Sequence, residues 1–216
     1  MYPHHSIMEN SDKHLHEEHR DRVIKMASQM FFEQGIRKVR MDDVAAALSM
    51  SKRTLYEMFS DKEELLLECM KVNQEEKIRF AMQVVAESEN VLEIVLRLYM
   101  YGMENIKKIH PAMFQDLNKY PKVCAYLEIK KKEKIANNKA FYSTGIQQGI
   151  FREDVNFDIF QFLMDLSMNG FLNNRVLMEQ WTLAEVLDTV MRVNMRGICT
   201  EKGQRILDDF FKENKI

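Results

Sequence analysis

An all-α protein is what this chain predicts, and three observations predict it. Only seven Gly and three Pro punctuate 216 residues, apolar residues recur at helical spacing through most of the length, and no run alternates apolar and polar as a half-buried strand does. With 46% hydrophobic residues the chain can pack a core, and 30% charged residues argue against a membrane protein. No run approaches the roughly 20 apolar residues of a membrane span. The most apolar stretch, 91–103, is broken by Glu93 and Arg97. The first twenty residues carry five His and no apolar stretch, so no signal peptide is expected. Cys69, Cys124 and Cys199 are scattered and odd in number, which suggests neither a disulfide framework nor a metal clip. A cytoplasmic location is expected.

Residues 1–17 are polar, His-rich and aperiodic, and are expected to be a disordered tail. A first helix is predicted over 18–34, with Val23, Met26, Ala27, Met30 and Phe31 on one face and Gly35 as its stop. A short helix follows at 41–48, its first turn favoured by Asp42 and Asp43, with Val44, Ala45 and Leu48 turned inward. Ser49 and Met50 make a turn. Ser51 then caps a second short helix, 52–59, with Leu55 and Phe59 as its buried pair. Two short helices about a tight turn, braced by a longer one, constitute a helix-turn-helix. Ser60 with Glu63 reads as a capping box for a long helix over 61–85. Further helices are expected at 91–109, 112–120, 122–148, 157–180, 183–199 and 201–212, punctuated by Pro111, Pro121 and a loop at 149–156.

The second helix of a helix-turn-helix presents its N-terminal residues to base edges in the major groove. Here it opens Ser51-Lys52-Arg53-Thr54, of which Arg53 can bond guanine bidentately, Lys52 can act similarly, and Thr54 offers a hydroxyl or methyl. Tyr56 lies one turn on, in reach of a phosphate. Backbone amides near Arg40, Met41 and Lys62 can face phosphates at the starts of the flanking helices. Residues 20–62 carry nine Lys/Arg against six Asp/Glu, whereas the whole chain is at −2. A basic N-terminal module on an acidic body suits a nucleic-acid reader, although many basic helical hairpins never touch DNA.

The run Met41-Asp-Asp-Val-Ala-Ala-Ala-Leu-Ser-Met-Ser-Lys-Arg-Thr-Leu-Tyr-Glu-Met-Phe-Ser-Asp-Lys-Glu-Glu-Leu65 resembles the DNA-binding signature of the TetR family of transcriptional repressors. Val44-Ala45, Ser51, Thr54-Leu55-Tyr56, Phe59, Lys62-Glu63 and Leu65 match it in order and spacing. The turn Leu48-Ser49-Met50 lacks the family's usual Gly, Arg40 stands where Thr commonly caps, and Arg53 replaces a small residue. Beyond residue 65 the likeness is one of helix number and order. Two later runs, Gly149-Ile-Phe-Arg-Glu-Asp and Met195-Arg-Gly-Ile-Cys-Thr-Glu-Lys-Gly203, also read like patterns of the family.

The resemblance implies a three-helix DNA-binding domain over 18–62 and a helical ligand-binding and dimerisation domain over 63–216, nine to ten helices in all. It also implies a dimeric regulator, a repressor, on a near-palindromic double-stranded DNA operator, released by a small-molecule effector. The stripe Phe160, Leu163, Met164, Ser167, Met168, Phe171 and that of Leu183, Val186, Leu187, Val190, Met191 would supply the homodimer interface. From them Met164, Met168, Phe171, Val186 and Val190 are singled out, with Gly170 and Gly197 allowing close approach and Trp181 at the edge. Tyr99, Met103, Phe114, Phe141 and Tyr142 are candidate lining of an apolar, aromatic ligand pocket, and 17 Met suggest an adaptable interior.

No catalytic residues, metal site or cofactor are expected. His16-Glu17-Glu18-His19 has the wrong spacing for a zincin, and no phosphate loop, nucleophile elbow or nucleotide fingerprint occurs. The His-rich tail, Lys130-Lys131-Lys132 and Asp208-Asp209 read as solvated. The competing reading is a helical small-molecule-binding protein without DNA binding.

Overall fold

The computed structural model describes residues 5–214, and among them all regular structure is helical. Eleven helices are described: α1 (His5–Gln34), α2 (Met41–Ala47), α3 (Lys52–Met58), α4 (Lys62–Glu87), α5 (Val91–Ile106), α6 (Ala112–Leu117), α7 (Pro121–Gln147), α8 (Phe157–Leu172), α9 (Arg175–Gln180), α10 (Leu183–Ile198) and α11 (Glu201–Glu213). None is long and apolar enough to cross a membrane.

Two expectations change. The stretch expected to be a disordered tail, 1–17, is helical from His5 onward, and residues 1–4 lie outside the described residues. No Gly or Pro falls between His4 and Gln34, so a helix already nucleated by its packed C-terminal half extends backward at little cost. The single helix expected over 157–180 is two, α8 and α9. Asn173 ends the first, and the Asn174 side chain caps the second by accepting from the Leu177 N–H at 3.2 Å.

The chain forms two compact units, 1–76 with 109–126, and 77–108 with 127–216. The division falls inside α4 and not at residue 62, because Leu65, Leu66, Cys69 and Met70 are buried with the helix-turn-helix. Segment 109–126 returns to that unit through the His110 N–H donating to the Phe32 carbonyl at 2.7 Å. The Asp116 carboxylate there also accepts the Arg37 N–H at 2.8 Å.

In the first unit Val23, Ala27, Phe31, Val44, Leu55, Phe59, Leu65 and Leu66 are essentially inaccessible to solvent. Gly35 ends α1 at φ +85°, a left-handed conformation suited to Gly, with a virtual Cβ only 3.1 Å from Ala112.

In the second unit α5, α7, α10 and α11 enclose Leu92, Leu96, Tyr142, Ile150, Met195, Ile198 and Leu207. The two late-chain runs singled out in the sequence meet here. Phe151 and Cys199 form an antiparallel bridge, the Arg152 N–H donates to the Ile198 carbonyl, and the Thr200 N–H to that of Ile150, both at 2.9 Å. Gly203 is required at this crossing, since a Cβ would lie 2.5 Å from the Ile150 oxygen.

Candidate DNA-reading surface

The turn between α2 and α3 closes through the Met50 N–H donating to the Ala45 carbonyl at 2.9 Å and the Ser49 N–H to that of Ala46 at 3.0 Å. Ser49 takes φ +52°, where the family pattern has Gly. Ser51 caps α3 by accepting from the Thr54 N–H at 3.1 Å, and the two hydroxyls lie 2.8 Å apart. Leu55 and Phe59 are wholly buried, which fixes α3 on its bed and turns Lys52, Arg53 and Tyr56 outward. The Arg53 side chain is 89% exposed.

Both cations of α3 are held by neighbouring carboxylates. Lys52 Nζ is 2.5 Å from Asp42, whose hydrogen bond raises the lysine pKa, and Arg53 Nε donates to Glu57 at 2.8 Å, raising that of the guanidinium. Exposed pairs of this kind are weak and screened by solvent, so phosphates or base edges can displace them.

At the start of α2 the Asp43 carboxylate accepts from the Arg40 N–H at 2.7 Å, while the Arg40 side chain is exposed. Met41 is buried, so only its backbone is a candidate contact. Lys62 is half-buried with its ammonium 5.9 Å from the Phe31 ring, and burial lowers its pKa. Arg20 is turned inward as well, lying 4.8 Å over the Phe59 ring and 3.1 Å from Glu68. The cap of α4 is shifted one residue from the expected box. Asp61 accepts from the Glu64 N–H at 2.8 Å, and Glu64 takes both donors of Ser60, which lowers its pKa. Glu63 instead accepts the Lys122 N–H at 2.8 Å.

His19 and Arg22 were missed by sequence reasoning. They line a 310 Å³ groove with Ser49, Ser51 and Thr54 beside the start of α3. An outward-facing His19 and Arg22 on the first helix is the signal that could have found them.

Of the candidate pocket residues, Tyr99, Phe141 and Tyr142 pack within one apolar cluster of the second unit. Phe114 lies on α6 in the first unit, because Asp116 and His110 hold that segment to the end of α1. Tyr142 is core, stacked on Phe151 and Phe157 with its hydroxyl donating to the Arg152 carbonyl. Tyr99 donates to Asp188, which Arg192 also grips at 2.9 and 3.0 Å. Met103 is half-buried. Phe141 alone of the five lines the 330 Å³ groove of the second unit, with Val85, Val91, Ile94, Thr144 and Gln148.

Of the candidate dimer residues, Phe171 is buried and Met164 and Met168 are half-buried, on the inward face of α8. The outward face shows Ile159, Phe162, Leu163 and Leu166, each at least half exposed. Apolar residues lie on both the inward and the outward side of this helix, so periodicity alone did not tell them apart. On α10, Val186, Val190 and Gly197 share a face with Val193, which is 65% exposed.

A rigid, capped, cationic helix held outward by a second short helix and a longer brace is a helix-turn-helix, and defines a DNA-binding transcriptional regulator. Residues 23–69 match the family model for bacterial regulatory proteins of the tetR family. The Bacillus subtilis HTH-type transcriptional regulator YvaF is 30% identical over 166 residues, 75% of this chain and 86% of that one. The HTH-type transcriptional repressor KstR2 of Mycobacterium tuberculosis is 27% identical over 153 residues, covering 68% and 76%. A solved structure of this ketosteroid transcriptional regulator superposes with a TM-score of 0.57 at 25% identity, over 85% of this chain and 96% of that one. A putative transcriptional regulator from Saccharomonospora viridis, solved with choline, has the same fold, with a TM-score of 0.70 at 17% identity over 86% and 100%. The chain belongs to the TetR family. These relatives are transcriptional regulators and not enzymes.

Proposed function

We propose that this regulator is a dimeric repressor that grips a near-palindromic operator with Lys52, Arg53, Thr54 and Tyr56 of each α3, and lets go when a small molecule binds its helical body. The single observation that carries the DNA-reading assignment is the outward display of Lys52, Arg53 and Tyr56 on a helix anchored by Leu55 and Phe59. Arg40 and the amides around Ser51 and Met41 supply phosphate contacts in this reading; Lys62 contributes mainly through its place in the first turn of α4.

A two-fold dimer sets two α3 helices about 34–36 Å apart, one turn of DNA, so each half-site holds the other in register. The partner is a second copy of this chain, meeting the outward faces of α8 and α10. An effector that alters the separation of the two α3 helices weakens both half-sites together. To take occupancy from nearly full to nearly empty it must favour the released state by about 5.5 kcal/mol. The groove walled by Val85, Val91, Ile94 and Phe141 is its proposed seat, and its 330 Å³ suits a small, largely apolar molecule. The relatives' names add the repressor role; their titles, a ketosteroid transcriptional regulator and a regulator in complex with choline, name no ligand for this chain.

Selection of bound duplexes from a random pool tests DNA binding and symmetry together: a palindromic consensus is expected. Arg53→Ala and Tyr56→Ala should then lose retention of that duplex while circular dichroism stays helical. Full-strength binding by both variants would refute the assignment of α3.

A further inference from the structure

The loop between α1 and α2 and the start of α6 enclose a second groove in the first unit, of 600 Å³, which the reading by α3 does not use. Its walls carry Arg37, Lys38, Arg40 and Lys119 against one acid, Asp116. Asp116 does not neutralise that wall. It is buried, and its carboxylate is already committed to the Arg37 backbone N–H at 2.8 Å and to Lys119 Nζ at 2.9 Å. Burial pushes its pKa up, yet those two donors outweigh burial and hold the carboxyl below the usual range, so it stays ionised and occupied.

Arg37, Lys38 and Arg40 are all exposed, and none forms a salt bridge among the described residues. They differ in this from Lys52 and Arg53, each of which has its own carboxylate partner. Three exposed cations within four residues, facing Asp116 as the one acid of the wall, repel one another and concentrate positive potential in a concave surface, which is the condition for attracting a polyanion. The groove is also continuous with the DNA-reading surface, because Arg40 is both part of its wall and the residue that precedes α2.

We propose that this groove binds backbone phosphates on the outer flank of each operator half-site, beyond the bases that α3 reaches. Arg37 and Arg40 can each fork two N–H donors onto a phosphate, and Lys38 adds a point charge. Such contacts carry no base information. They raise affinity and fix the register of the protein on the duplex. The inference rests on the DNA-binding reading above, and extends it to a segment of chain shared between the α1–α2 loop and α6.

The test uses the full chain and the Arg37→Gln/Lys38→Gln double variant, with two duplexes. One carries the selected half-sites with about ten extra base pairs, one helical turn, on each side; the other is trimmed at the half-site ends. On the long duplex the slope of log affinity against log salt should become shallower by about 1.8 per subunit, about 0.9 for each lost contact. The preference for the operator over unrelated sequence should be unchanged, and on the trimmed duplex the two proteins should bind alike. Equal slopes on the long duplex overturn the proposal. A parallel thermal melt with inorganic phosphate separates the other source of the same chemistry. Stabilisation of the wild type but not of the variant, together with equal DNA slopes, makes the groove a free-anion site and overturns the DNA assignment. Absence of any salt-sensitive retention by the wild type would overturn this proposal and its parent together. Because both positions are exposed, an unchanged helical spectrum and melting curve without phosphate are expected of the variant.

Discussion

Helices α3 and α8 both leave side chains in solvent, and what they leave there is opposite. The outer face of α3 is Lys52, Arg53, Tyr56 and Glu57, with the apolar residues Leu55 and Phe59 buried beneath. The outer face of α8 is Ile159, Phe162, Leu163 and Leu166, and Val176 of α9, Trp181 just after it and Val193 of α10 add to the exposed apolar residues of the same unit. Charge left in water costs nothing and awaits a polyanion; a row of apolar side chains left in water awaits another apolar surface. In the proposed reading these two surfaces serve partners of different chemistry, and each can be altered by substitutions that leave the other in place.

The largest effect is expected from cutting away the bed of the reading helix. Phe59→Ala removes a fully buried ring that also carries the Arg20 guanidinium 4.8 Å above it, and should destabilise the first unit by about 3–5 kcal/mol. Urea unfolding followed in both units should then show the first unit melting early while the second keeps its transition. A single shared loss across the whole chain would show that the two surfaces are not independently supported.

The complementary change is Leu166→Asp, which leaves the subunit's own core alone because the side chain is 55% exposed. In a two-fold dimer it places an unpaired carboxylate in the interface twice. Weakening of association by about 3 kcal/mol, more than a hundredfold in Kd, is expected by sedimentation. Operator binding should fall with it, since half-sites held separately lose their mutual reinforcement. Unchanged sedimentation would remove α8 from the dimer and leave its exposed row unexplained.

The two surfaces also differ in how far they could be read from the chain. Around α3 the caps, the two-residue turn and the short apolar pairs all point one way, so Ser51, Leu55 and Phe59 fall where the pattern puts them. In α8 the residues on both faces are apolar, and Met164 and Phe171 look as good as Phe162 and Leu166 until the core is seen to take the former. Ser60 with Glu63 reads as the box, yet the Glu64 carboxylate takes both donors of Ser60 while Asp61 accepts the Glu64 N–H. Glu63 instead accepts the Lys122 N–H, a partner 59 residues away that no local pattern shows. Charge counting could not show that two of the nine cations, Arg20 and Lys62, hold their charged heads over buried rings. The groove lined by Arg37, Lys38 and Arg40 was hidden because its opposite wall, Ala112 and Lys119, arrives some seventy residues later.

The smallest predicted effect has the opposite sign. Ser49 holds φ +52° in the turn before α3, and a residue with a Cβ sits in that left-handed region at a cost of roughly 1–2 kcal/mol. Gly carries no such cost but loses more backbone freedom on folding, which returns part of the gain. The Ser49 side chain is exposed, and the turn is held by its N–H and not by its hydroxyl, so nothing else is lost on substitution. Ser49→Gly should therefore stabilise the first unit by about 0.5–1 kcal/mol, read as a higher urea midpoint at constant slope, and leave association through α8 untouched. Ser49→Ala separates the backbone from the side chain: it keeps the Cβ and should gain nothing. If the Ala variant were as stable as the Gly variant, the strain would not reside in the turn, and the rigid seating of α3 would have to come from its apolar bed alone.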